Sequence, residues 1–78
     1  MFYVGNTLWL EMGDSLPNNF SGIARIQDGR ISWYKKGLLH RPAEEGPAQI
    51  WPSGYLYWWE EGKILKQQTP KGEIICFT

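Results

Sequence analysis

Apolar and polar positions alternate along most of this chain, and nowhere do they recur at the three-to-four-residue spacing of an amphipathic helix. Arg30-Ile31-Ser32-Trp33-Tyr34 and Tyr55-Leu56-Tyr57-Trp58-Trp59 are short runs of aromatic and branched residues bounded by glycine-containing turns, which is how strands read. Asp28-Gly29 predicts a two-residue hairpin turn, because both central positions of the favoured turn need positive φ. Lys35-Lys36-Gly37, Pro52-Ser53-Gly54, Glu60-Glu61-Gly62 and Pro70-Lys71-Gly72 predict the other turns. The expected fold is all-β: a twisted antiparallel meander of about six to nine short strands, built from successive hairpins as a single sheet, open or curled.

The alternation is itself periodic. Gly5…Trp9-Leu10…Gly13, Gly29…Trp33-Tyr34…Gly37 and Gly54…Trp58-Trp59…Gly62 share one spacing, and their leading glycines lie 24 and then 25 residues apart. Gly22-Ile23-Ala24-Arg25-Ile26 likewise matches Gly46-Pro47-Ala48-Gln49-Ile50. A period of this length marks stacked supersecondary units, so residues 1–78 read as one repeat-built domain. The copies span roughly 5–28, 29–53 and 54–71, followed by a partial copy over 72–78 in which Cys76-Phe77 replace Trp and its bulky neighbour. Asp14 to Ser21 and Arg41 to Glu45 are the connections between them.

Strand alternation sorts each copy by face. Thr7, Ile31, Leu56 and Ile74 share a side with Trp9, Trp33, Trp58 and Cys76, so the expected core is Trp9, Trp33, Trp58, Ile31 and Leu56. The other side carries Leu8, Leu10, Arg30, Ser32, Tyr34, Tyr55, Tyr57, Trp59, Glu73, Ile75 and Phe77. It is too aromatic for a purely solvated surface: either the sheet curls over and buries these residues, or it presents them as an interaction site.

Composition narrows the function. Five Trp, four Tyr and three Phe supply the bulk that a 78-residue chain needs for a core. Eight basic and eight acidic residues cancel, which removes the simplest argument for a phosphate backbone or an anionic membrane as the main partner. Cys76 is the single cysteine and requires no oxidising compartment, and no apolar run approaches a membrane span, so a cytoplasmic address is expected. The sequence offers no nucleophile–base pair, ligand cluster or phosphate loop, so the expectation is a non-enzymatic chain without catalytic residues, metal or cofactor.

His40, the only histidine, and Arg41 are expected to bond to backbone carbonyls in their connection, with Glu44 or Glu45 as a charge partner; a contact role toward a partner's carboxylate or phosphate is the alternative. Cys76 is expected to be buried as a small hydrophobe. Binding remains, and its candidates are Tyr34, Tyr55, Tyr57 and Trp59 as aromatic anchors with Arg30 as the charged partner. The same residues could stack single-stranded nucleic acid. The apolar run Glu73 to Thr78 adds a third option, self-association as a homodimer through an edge strand.

From Asp28 through Lys66 the chain resembles a variant of the MORN repeat, on Trp33-Tyr34-Lys35-Lys36-Gly37-Leu38-Leu39-His40-Arg41 and Gly46-Pro47-Ala48-Gln49-Ile50. The next copy keeps Trp58-Trp59-Glu60-Glu61-Gly62 but has Leu65-Lys66 in place of His-Arg. The resemblance implies a sheet of successive hairpins that binds rather than catalyses. Repeats of this type are frequent in phage, giant-virus and bacterial proteins. From that frequency and the shortness of the chain, the expectation is a phage- or mobile-element-encoded inhibitor that binds a host protein, such as a defence complex, in the host cytoplasm.

Overall fold

Nine strands form in the computed structural model, which describes residues 1–77, and all nine join one sheet. They are β1 (Phe2–Val4), β2 (Thr7–Leu10), β3 (Gly22–Ile26), β4 (Ile31–Lys35), β5 (Leu38–Leu39), β6 (Gln49–Ile50), β7 (Leu56–Glu60), β8 (Lys63–Gln68) and β9 (Ile74–Cys76). The order is β1-β2-β3-β4-β6-β7-β8-β9, with β5 beside β6 along the same edge of β4. Strands touch in number only their sheet neighbours, so there is no second layer among the described residues, and the sheet is not closed into a barrel. Thr78, the last residue of the expected partial copy, lies outside the described residues.

One pairing departs from the meander: β2 and β3 are parallel, Leu8 opposite Ala24 and Leu10 opposite Ile26, while every other pair is antiparallel. A tight turn cannot join parallel strands, and the stretch from Glu11 to Ser21 provides the longer crossover they need. The Gly5–Gly13 copy is consequently laid down in the reverse direction relative to the other two. The geometric repeat is instead β3-β4-β5 against β6-β7-β8, whose turns are equivalent residue by residue. Lys36 and Glu61 both have positive φ (50° and 48°), and each is followed by a positive-φ glycine, Gly37 and Gly62. Their N–H groups donate to side chains of the preceding segment, Lys36 to Ser21 Oγ (2.8 Å) and Glu61 to His40 Nδ1 (3.0 Å). Each following glycine donates to the carbonyl one residue earlier, that of Phe20 or Leu39.

These are the two-residue turns in which both central residues need positive φ. Asp28-Gly29 is a different turn. Ile26 N–H bonds to the Arg30 carbonyl across three intervening residues, and Asp28 accepts both the backbone N–H and Nε of Arg30. The carboxylate's bonds to Arg30 hold the longer loop, so glycine alone carries positive φ there.

The register fixes the faces. On one side, Trp9, Arg25, Ile31, Ile50, Leu56 and Gln68 follow one another across successive strands. Trp33 and Trp58 lie two residues along on the same side, so the three repeat tryptophans do share a face. The other side carries Leu8, Ala24, Ser32, Gln49, Tyr57 and Gln67 in register. We call these the tryptophan face and the tyrosine face.

Burial does not follow the expected core. Leu8, Leu10, Ala24 and Ser32 are buried on the tyrosine face, whereas Ala48 and Trp58 are buried on the tryptophan face. Trp9, Trp33, Ile31 and Leu56 are only half-buried. The covered side therefore changes along the sheet, and the connections explain why. The first lays Leu16 and Phe20 over Leu8, Leu10 and Ala24 on the tyrosine face. The second crosses to the opposite side: the Arg41 guanidinium lies 4.0 Å over the Trp33 ring, and a Cβ on Gly46 would come within 3.0 Å of Arg41 Nη1.

Candidate interaction surface

Among the described residues no second layer of strands lies over the tyrosine face at β6, β7 and β8, where the sequence places its aromatic run. Trp51 continues β6, its N–H bonded to the Tyr55 carbonyl across the Pro52-Ser53-Gly54 turn. Its indole meets Tyr57 edge-on (6.4 Å between centroids, 66°), and Tyr57 in turn stacks on Tyr55 (6.3 Å, 18°). Arg30 lies 4.6 Å over the Trp51 ring while its Nε donates to Asp28 at 2.9 Å. Arg30, Trp51, Tyr57 and Tyr55 thus form one continuous, half-buried array. A shallow cavity of about 330 Å³ borders it, lined by Tyr55, Thr69, Pro70, Lys71 and Glu73.

Of the five residues expected to contact a partner, Arg30, Tyr55 and Tyr57 belong to this array. Tyr34 does not. It packs against the Leu8–Leu10–Ala24 cluster and meets Phe20 edge-on at 6.1 Å, because the first connection folds over that part of the face. Trp59 stands further along the same strand, half-buried, with its carbonyl accepting the Arg41 N–H. Arg30 is less a free charge than a brace, since Asp28 neutralises it and Trp51 carries it flat. Sequence reading missed Trp51. It stands outside the repeat spacing, but its place just before Pro52-Ser53-Gly54 and two residues from Gln49 is enough to put it on the tyrosine face.

The tryptophan face follows another rule: each repeat indole carries a cation. Arg25 lies 4.7 Å from Trp9, Arg41 4.0 Å from Trp33, and Lys66 4.5 Å from Trp58. Phe2 stacks on Trp9 from the neighbouring strand (6.0 Å, 5°). A larger cleft of about 410 Å³ lies here, with Phe2, Trp9, Leu10, Arg25, Ile26 and Gln27 in its wall. Phe2 and Arg25 meet the Trp9 ring there from the two strands flanking β2, β1 and β3.

His40 and Arg41 are consumed by the fold. His40 does not bond to a carbonyl of its connection as expected: its Nδ1 accepts the N–H of Glu61 on the β7–β8 turn, whereas Arg41 Nη1 does donate to the Pro47 carbonyl at 3.1 Å. Neither Glu44 nor Glu45 forms an ion pair among the described residues. Cys76 is exposed rather than buried, because β9 is an edge strand that no described residue covers. Among the described residues no group of His, Cys, Asp and Glu is placed to hold a metal ion, and no helix is long and apolar enough to cross a membrane.

No family model, curated protein or solved structure matches this chain.

Proposed function

We propose that this chain is a non-enzymatic protein-binding module whose contact surface is the Arg30–Trp51–Tyr57–Tyr55 array. The observation that carries the reading is that array itself: aromatic rings in mutual contact, pre-positioned by neighbouring strands, on a face over which no second layer of strands lies among the described residues. Trp, Tyr and Arg dominate the energetics of protein interfaces, and rings already ordered by each other lose little conformational freedom on binding. The indole N–H of Trp51 is shielded from solvent and has no hydrogen-bond partner among the described residues. A partner that re-packs this ring and offers an acceptor would remove a penalty of about 1–3 kcal/mol.

In the setting implied by the repeat type, the partner is a host protein and the module is its phage- or element-encoded inhibitor. The test is affinity capture from host lysate with three baits: the natural chain, Tyr57→Ala, and Arg25→Ala on the opposite face. A protein retained by the first and third baits and lost from the second supports the reading. Capture indifferent to Tyr57, with all baits melting alike, refutes it. Nucleic acid is the competing occupant, and its mark is a retention that falls steeply between two salt concentrations.

A further inference from the structure

The C-terminal edge of the sheet is built to pair with itself. β9 presents Ile74 and Cys76 on the tryptophan face and Ile75, followed by Phe77, on the tyrosine face. Ile74, Ile75 and Phe77 are 56, 48 and 50 % exposed, so apolar side chains stand unprotected on both sides of one edge strand. Sheet edges are ordinarily guarded by Lys, Pro or a bulge, and Ile74 to Phe77 contains none of these.

The backbone phase limits how this edge can pair. Phe77 N–H donates to the Leu65 carbonyl and Thr69 N–H to the Glu73 carbonyl, so Glu73, Ile75 and Phe77 turn their backbone groups toward β8. Ile74 and Cys76 must then turn theirs outward, one on each side of Ile75. That arrangement is its own complement. We propose that the chain forms a closed two-fold dimer in which β9 pairs antiparallel with β9 of a second copy, Ile74 opposite Cys76 and Ile75 on the dyad opposite itself. Both outward residues then exchange their N–H and C=O bonds fully. The two Ile75 side chains meet as a non-hydrogen-bonded pair, the closer of the two antiparallel spacings. In this register Glu73 faces Phe77 of the second copy, so no like charges oppose each other, and the net charge of zero opposes association nowhere else. The dimer leaves the Trp51–Tyr57 array free, since that array lies on a face and this contact runs along an edge.

Disulfide trapping tests the register. Across the dyad the Cα atoms at position 75 are expected at about 4.5 Å, within disulfide range, whereas those at position 76 fall roughly 8–9 Å apart, beyond it. Under mild oxidation the double variant Ile75→Cys/Cys76→Ser is expected to form a covalent dimer, and the natural chain, with Cys76 alone, is not. Sedimentation over a concentration series is expected to show a mass that doubles and then stops. Ile75→Lys, which sets two cations face to face on an exposed edge, is expected to weaken the dimer about tenfold or more while retaining the monomer's far-ultraviolet circular dichroism. A monomer throughout, growth beyond two copies, or trapping equally efficient from Cys76 alone each overturns the proposal.

Discussion

Arg41 and Lys66 hold the same place in successive units, eight residues after the indole each one covers. The guanidinium of Arg41 adds a bond to the Pro47 carbonyl, and its flat fork suits stacking better than an ammonium. Arg41→Ala is therefore expected to lower the unfolding free energy by about 1–3 kcal/mol and Lys66→Ala by about 0.5–1 kcal/mol, in urea titrations followed by tryptophan fluorescence. A cost for Arg41 no larger than that of Lys71→Ala on the exposed rim contradicts the stacking account. Glu61 offers the opposite change. It occupies a left-handed turn position that Asn tolerates better, and its bond to His40 uses only the main chain. Glu61→Asn is expected to raise stability by about 0.5–1 kcal/mol, read as a higher melting temperature. The pair His40-Arg41 stands out in the sequence, yet its use does not, because His40 bonds to a residue 21 positions away, and only strand pairing determines that neighbour.

At the scale of elements, the two connections decide which side of the sheet is dry. Phe20 covers Tyr34 and Gly22 on one side, and Arg41 covers Trp33 on the other. Phe20→Ala uncovers the Leu8–Leu10–Ala24 cluster and is expected to cost about 2–4 kcal/mol, whereas Tyr55→Ala, at the rim of the aromatic array, is expected to cost less than half as much in the same denaturation experiment. Strand positions, the shared side of the repeat tryptophans and most turns were legible from alternation and glycine spacing. The side each connection would take was not. Both connections carry an apolar or long side chain and a proline, and nothing local to Leu16, Phe20 or Arg41 states which face it will find. The parallel β2–β3 step escaped for the same reason: the Gly5–Trp9–Gly13 spacing repeats faithfully, but spacing carries no direction.

For the whole molecule, the consequence is a sheet half-covered on each side, with a half-buried aromatic array on one face and apolar strands at both edges. Binding and folding are expected to separate: Tyr57→Ala removes partner capture and leaves urea unfolding within about 2 kcal/mol of the natural chain, because Tyr57 is half-buried and its ring neighbours remain. The seam joining the two repeat units is narrow, two residue pairs between β4 and β6, as between β6 and β7, against four between β2 and β3. Amide exchange in heavy water then has an expected shape. Protection is deepest inside β3 and β7, shallow at the rims β1 and β9, and interrupted midway, where Trp33 and Ala48 carry the junction. A ribbon made this way does not melt from one centre; it loosens at its borders and along its middle, and whatever clasps the aromatic side also tightens that middle line.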